Sequence, residues 1–308
     1  MEKITMNDYI KLPKTAVVLG NFDGIHKGHT LLIKKAKEIA REEGVKTAIF
    51  TFNPHPSFVL TGKMPVDLIY TGQEKEMVME QEGIDFYIEF PFTKQSASMS
   101  YKQFIEDIIL TKLNAQVVII GADYRFGKNK LGDYKTLVKY SQEYDFDVIV
   151  VHKLKHKDTV ISSTWIRDEI KNANIELANE LTGRPFIING QVMKGKNIGT
   201  GIGIPTANII PDESKLLPPK GVYVSKVQVK GKDYNGVTNI GNNPTVEGQA
   251  LIIETHIIDF NEDIYGEEIS VKLYHYVRPE KKFNNLTELK EQIDLDIEEM
   301  KNYFNLTK

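Results

Sequence analysis

The chain has 308 residues, 41% of them hydrophobic and 26% charged, with a formal net charge of −3 and no cysteine. That length suits about two domains, and near-neutrality argues against a protein that coats nucleic acid, whose footprint is a basic face. The missing thiol excludes disulfide frameworks, Cys-based zinc sites, Fe–S clusters and thiolate nucleophiles. Residues 1–8 lack the apolar segment of a secretory signal. Apolar runs such as 117–120 fall far short of the ~20 residues a membrane-spanning helix needs. The expectation is a soluble cytoplasmic protein with no nucleic-acid or membrane partner; its oligomeric state is left open.

Up to about residue 180, short β-rich runs alternate with helical patterns. A buried strand over 16–19 leads through a glycine-rich turn into a helix over 29–43, with Leu32, Ala36 and Ile39 on one stripe and Gly44 as its stop. Further strands are predicted at 46–52, 86–90, 116–120 and 147–152, and helices near 73–82, 100–112, 133–143 and 163–181. This alternation, with continuous apolar strands, predicts a parallel sheet covered on both faces. After Thr182-Gly183-Arg184-Pro185 the pattern changes. Strand-like segments at 186–193, 221–229, 234–240, 251–258 and 269–277 follow with no helix between them, as in a small antiparallel sheet or barrel. A helix over 286–304 closes the chain, with Leu289, Ile293, Ile297, Met300 and Phe304 as its apolar stripe and Asn285 or Thr287 as cap. Its acids Glu288, Glu291, Asp294, Asp296, Glu298 and Glu299 read as a solvated face. The expected boundary divides 1–183 from 184–308.

Chemistry-bearing residues gather on the connections. Gly20-Asn21-Phe22-Asp23-Gly24-Ile25-His26-Lys27-Gly28-His29 joins the first of these strands to the first helix. In an open α/β sheet ligands bind there, glycines let backbone approach a phosphate, and the helix N-terminus offers amide donors. His26 and His29, three apart, can both face that anion and donate to charge on a transferring phosphoryl group. A capped turn with two surface histidines is the plainer alternative. In the second half, Gly195, Gly199, Gly201 and Gly203 with Lys196 form a glycine-rich run that alone fits a flexible turn as well as a phosphate cradle. Thr206 and Asn208 follow, two apart on an extended segment and so on one face. A hydroxyl and an amide oxygen suit a hard cation, and they equally suit a local turn.

The His-x-Gly-His run resembles the signature of the nucleotidylyltransferase superfamily. Phe50-Thr51-Phe52-Asn53-Pro54-His55-Pro56, Gly121-Ala122-Asp123-Tyr124-Arg125-Phe126-Gly127 and Ile161-Ser162-Ser163-Thr164-Trp165-Ile166-Arg167 narrow it to the FMN adenylyltransferase module of bacterial FAD synthetases. The resemblance implies a Rossmann-like domain in which the FMN phosphate attacks the α-phosphorus of ATP, giving FAD and pyrophosphate. Gly20, Asn21, Phe22, Gly24 and Gly28 would line the nucleotide. His26, His29, Ser163, Thr164, Arg167 and Mg²⁺ would position it and neutralise its charge. Phe52, His55, Pro56, Phe58, Asp123 and Arg125 would border the flavin, although Phe52 fits a core strand nearly as well. Lys130 stands where other members often carry a second Arg, keeping charge without the bidentate fork.

The second half is similar to riboflavin kinase over 185–308. Pro205-Thr206-Ala207-Asn208 is followed in order by Gly221-Val222-Tyr223, Asn239-Ile240-Gly241-Asn242-Asn243-Pro244-Thr245, Glu254-Thr255-His256 and Arg278-Pro279-Glu280-Lys281-Lys282-Phe283. The resemblance implies a small antiparallel β-barrel with a closing helix. It further implies Glu254 as general base on the ribityl hydroxyl of riboflavin, Thr206 and Asn208 on Mg²⁺, the glycine run on ATP, and Arg278 closing over nucleotide and flavin. Thr200 replaces an Arg found in many bacterial members. The expected protein is bifunctional. A chain with one half vestigial, suggested by Thr200 and Lys130, and a flavin-binding sensor without turnover are the alternatives.

Overall fold

Buried β-branched and aliphatic runs make the first sheet. Its strands are β1 (Glu2–Thr5), β2 (Thr15–Leu19), β3 (Lys46–Asn53), β4 (Phe86–Pro91), β5 (Ala115–Gly121) and β6 (Asp147–Val151). In this computed structural model, which describes residues 1–6, 11–62, 67–194, 203–242 and 251–306, they pair in the order β1-β4-β3-β2-β5-β6. Every pairing is parallel. β2 is buried along its whole length, as a central strand covered on both faces must be. Helix α1 (Lys27–Glu43) buries Leu32, Ile33, Ala36, Ile39 and Ala40, and Gly44 ends it at φ 67° with its N–H returned to the Ala40 carbonyl.

The remaining helices up to residue 144 are α2 (Pro56–Thr61), α3 (Gly72–Gln81), α4 (Lys94–Ala97), α5 (Tyr101–Gln103) and α6 (Tyr134–Tyr144). The helix expected over 100–112 is wider than an α-helix through most of its length. Phe104–Lys112 is π-helical, with Leu113 N–H reaching the Ile108 carbonyl five residues back. This winding still buries Phe104, Ile105, Ile108 and Ile109. After the short hairpin β7 (Lys155–His156) and β8 (Thr159–Val160), the single helix expected over 163–181 proves to be two, α7 (Ser163–Lys171) and α8 (Ile175–Thr182). The break lies at Ala173, which takes φ 60°. Asn174 closes it by donating both its N–H and its side-chain amide to Glu169.

By internal contacts the chain groups into two compact units, Met1–Asp67 with Lys75–Ser163, and Leu68–Glu74 with Thr164–Lys308. The second unit holds a closed barrel of β9 (Phe186–Met193), β10 (Thr206–Ile209), β11 (Gly221–Val229), β12 (Lys232–Asn242), β13 (Leu251–Ile257) and β14 (Glu268–Arg278). The order is β10-β13-β12-β11-β14-β9, antiparallel throughout and closed by β9 on β10. Its interior carries a polar chain as well as aliphatics. Thr238 Oγ1 lies 2.8 Å from Ser225 Oγ and 2.9 Å from Thr255 Oγ1, so these buried hydroxyls satisfy one another.

Helix α9 (Leu286–Tyr303), capped by Asn285, lays Met300 over Val222, Val224 and Val237 on the outside of the barrel. The expectation that its acids form a solvated face fails at Asp296, which is 3% exposed. Its two oxygens take Nε and Nη2 of Arg278 at 2.8 and 2.7 Å, so the partner needed to bury that charge comes from β14. A second buried pair fastens the Leu68–Glu74 segment within this unit. Lys215 Nζ meets Glu74 Oε2 at 2.6 Å with side-chain exposures of 1% and 2%, and it donates to the Ile69 carbonyl. Glu74 Oε1 accepts the Asn189 N–H of β9 at 3.0 Å.

Candidate active sites

The first site lies where the sheet changes direction. From β2 the sheet extends through β3, β4 and β1 on one side, while β5 and β6 lie on the other. The C-terminal ends of β2 and β5 therefore flank a topological switch point, where open α/β sheets bind ligands. The residues after β2, β3 and β5 leave the same edge of this parallel sheet, which brings the glycine loop, Asn53–His55 and Asp123–Arg125 to one side of the unit.

His26 is the N-cap of α1. Its backbone is extended (φ −76°, ψ 172°) and its Nδ1 accepts the His29 N–H at 3.4 Å. The two imidazoles stack with centroids 3.8 Å apart. Gly28 permits this: a Cβ there would stand 3.0 Å from the His26 ring. Burial pushes the His26 pKa down to about 4, against weaker raising by Asp23 and Asp123. Burial also holds His29 well below its ordinary value, and the nearness of the His26 imidazole and the Lys75 ammonium acts in the same direction. Both rings are thus neutral near pH 7. They can donate hydrogen bonds to a phosphate but bring it no positive charge.

The rest of the loop is held from beneath. Gly24 takes φ 83°, a conformation glycine adopts without strain. Phe22 is fully buried with its ring 5.1 Å from that of His29, so at this position the loop presents backbone outward. Ser163, the first residue of α7, donates its Oγ to the Asp23 carbonyl at 2.5 Å, tying this residue to the glycine loop. Thr164 and Arg167 continue α7 in the second unit. Phe52 is half-buried, edge-on to Phe50 and Phe92 at 5.3 and 5.2 Å, while His55 is partly buried, Pro56 opens α2 and Phe58 is exposed. Asp123 and Arg125 are exposed beyond β5; Asp123 pairs with Lys153 at 2.9 Å, and Arg125 donates to the Tyr124 carbonyl. Sequence reasoning missed Lys75 on α3, whose Nζ lies 3.5 Å from the Asn21 carbonyl oxygen of the glycine loop. A lysine within a helical pattern carries no signal of its own.

The second site is a cross-strand row on the barrel. Thr206 pairs with His256 and Asn208 with Glu254 between β10 and β13, and Asn239 of β12 pairs with Glu254 from the other side. Side chains alternate along a strand. Thr255 and Ile253 face the interior, so Glu254 and His256 share the outer face with Thr206 and Asn208. The two motifs are also tied directly, since His256 Nδ1 donates to the Pro205 carbonyl at 2.8 Å. Asn208 is 5% exposed. Its Nδ2 donates to the Thr206 carbonyl at 3.2 Å, while its Oδ1 is buried with no partner among the described residues. A buried amide oxygen beside a hydroxyl and a carboxylate fits Mg²⁺, a hard cation held by few protein oxygens. Arg278 is turned onto Asp296. Gly203 is described, at φ 79°; Gly195, Lys196, Gly199, Thr200 and Gly201 lie outside the described residues.

Comparison with known proteins matches both halves of the chain. The family model for FAD synthetase matches residues 10–165, and that for riboflavin kinase matches 182–304. The bifunctional riboflavin kinase/FMN adenylyltransferase of Bacillus subtilis is 42% identical over 300 residues, covering 95% of this chain and 93% of that protein. The protein of the same name from Escherichia coli K12 is 36% identical over 294 residues, covering 95% and 93%. The solved structure of a macrolide-efflux protein from Streptococcus pneumoniae matches with a TM-score of 0.88 at 33% identity, covering 97% of this chain and 99% of that one. No helix among the described residues is long and apolar enough to cross a membrane. With both family models matched in chain order and full-length relatives above 30% identity, the chain belongs to the bifunctional riboflavin kinase/FMN adenylyltransferase family.

Proposed function

We propose that the family's two reactions run at two separate sites, with residues 1–183 forming FAD and residues 184–308 forming FMN. The chain phosphorylates riboflavin to FMN with ATP, and adenylylates FMN to FAD with release of pyrophosphate. The observation that supports two sites is the placement of their central residues. The glycine loop with His26 and His29 lies in the first compact unit, and the Asn208–Glu254 pair lies in the second.

At the kinase site Glu254 takes the proton from the 5′-hydroxyl of riboflavin as that oxygen attacks the γ-phosphorus of ATP. Thr206 and Asn208 would hold Mg²⁺, which when bound neutralises charge on the phosphate oxygens; the unpartnered Asn208 Oδ1 supports this. Arg278 acts through Asp296, fixing the end of β14 against α9. At the adenylyltransferase site the α1 N-terminus and the neutral His26 and His29 donate to the α-phosphate. Ser163 steadies the loop. Thr164 and Arg167 are assigned to the nucleotide on the Ser-Ser-Thr-x-x-Arg motif, and Phe52, His55, Pro56, Phe58, Asp123 and Arg125 to the flavin side of the sheet edge. A cytoplasmic location and small-molecule partners, with no membrane or nucleic-acid partner, complete the proposal; the near-neutral charge supports the absence of a nucleic-acid partner.

The test is a split of activities in the full-length protein. His29→Ala should abolish FAD formation from FMN and Mg-ATP while sparing FMN formation from riboflavin. Glu254→Ala should do the reverse, leaving conversion of supplied FMN intact. Loss of both activities in either folded variant would overturn the separate sites.

A further inference from the structure

We propose that Lys75 is a substrate-contacting cation of the adenylyltransferase site, placing its ammonium against the β- and γ-phosphates of ATP. This rests on the assignment of adenylyl transfer to the glycine loop. Lys75 lies on α3 near that helix's N-terminus, and its Nζ reaches the Asn21 carbonyl oxygen at 3.5 Å. The same carbonyl accepts Thr51 Oγ1 of β3 at 3.1 Å. The ammonium therefore sits at the first turn of the glycine loop, on the sheet edge where the nucleotide is expected. The Nζ contact is long for an ammonium–carbonyl hydrogen bond, which leaves the group free to turn toward a stronger acceptor.

The charge balance at the loop is what asks for such a group. His26 and His29 are neutral near pH 7 because burial disfavours their charged forms. The α1 N-terminus supplies partial charge only, of order half a unit. A triphosphate carries several full negative charges. In the reaction the FMN phosphate oxygen forms a bond to the α-phosphorus as the bond from that phosphorus to the bridging oxygen breaks. The electron pair of the broken bond leaves with pyrophosphate, so negative charge grows on the leaving group. A full positive charge aimed there stabilises the transition state more than the ground state. Lys75 keeps its proton throughout.

The surroundings of Lys75 fit a cation waiting for an anion. Burial lowers its affinity for its proton, while Asp23 and Glu89 oppose that loss. Glu89 is itself engaged by Asn53 Nδ2 at 3.0 Å and by the Tyr87 hydroxyl at 3.2 Å. Lys75 thus has balancing charge nearby without being locked in a short ion pair among the described residues, in contrast to Lys215 on Glu74.

The experiment compares Lys75→Met, Lys75→Arg and His29→Ala in the full-length protein. FAD formation from FMN and Mg-ATP is measured with KM for each substrate, beside FMN formation from riboflavin in the same preparation. The expected result for Lys75→Met is a loss of about 100-fold in kcat/KM for ATP, the order of one electrostatic contact to a developing charge. KM for FMN and the kinase reaction should stay unchanged, and Lys75→Arg should recover at least tenfold of the loss. Equal losses in the Met and Arg variants, or a matching rise in KM for FMN, would assign Lys75 to the local fold and overturn the proposal. So would FAD formation within threefold of wild type in Lys75→Met while His29→Ala abolishes it. If His29→Ala also leaves FAD formation intact, the failure belongs to the placement of the site.

Discussion

Asn208 stands directly across from Glu254 on neighbouring antiparallel strands, its amide oxygen buried and unpartnered among the described residues. Side chains opposed in this way have Cβ atoms about 5 Å apart, so one small cation and one substrate oxygen can share both residues. Asn208→Ala is expected to lower riboflavin kinase kcat by two to three orders of magnitude, with FAD formation from supplied FMN within twofold of wild type. Steady-state assays of the two half-reactions check this. A kinase loss below tenfold would remove Asn208 from the site.

The histidine stack makes the first unit sensitive to acid. His26 has a pKa of about 4 in the folded protein and about 6.5 in an unfolded chain. Between those values the unfolded state binds the extra proton, so its stabilisation grows as pH falls. Stability of this unit should be greatest above pH 6.5 and decline toward pH 4. Replacing His26 by Gln should flatten that decline, as read by thermal melts at stepped pH. An unchanged pH slope in the variant would show that other groups set it.

Asp296 should be needed for α9 to hold its place. Removing it leaves the Arg278 guanidinium facing a site from which water is largely excluded. Asp296→Ala should destabilise the second unit by roughly 2–4 kcal/mol, below the full cost of breaking a wholly buried pair because Arg278 keeps some exposure. Denaturant unfolding measures it. The accompanying rise in KM for riboflavin should exceed any change in KM for FMN as adenylyltransferase substrate.

The Lys215–Glu74 pair predicts strong non-additivity. Lys215→Met alone leaves a carboxylate buried without its cation and should cost about 3–5 kcal/mol. Adding Glu74→Gln removes that charge while keeping an acceptor for the Asn189 N–H. The double variant should therefore be more stable than Lys215→Met alone. Simple addition of the two single losses in denaturant titrations would contradict this account.

Local grammar carried most of the fold. Continuous apolar runs marked β2 and β5, and alternation marked the barrel strands, because burial on one or two faces writes itself into neighbouring residues. The glycine loop was legible for the same reason, since its capping histidine and its glycines act on adjacent backbone. What escaped depends on partners far along the chain. β1 is short and gains its place only by pairing with β4. Asp296 looked solvated because its partner Arg278 belongs to another element, and Lys75 looked like any helical lysine until α3 reached Asn21. The π-helical winding of Phe104–Lys112 has no periodic signature distinct from an α-helix over so short a span.

The brief Leu68–Glu74 segment changes what it means to cut this chain. By sequence the two catalytic modules follow one another, and the expected boundary is a single break near residue 183. By packing, the backbone passes between the two units three times, after Asp67, after Glu74 and after Ser163. A fragment starting at residue 184 would keep Lys215 but lose Glu74, together with α7 and α8. The buried Lys215 ammonium would lose the carboxylate it pairs with, so a freestanding kinase cut from this protein must replace Lys215 or carry its own counterpart to residues 68–74.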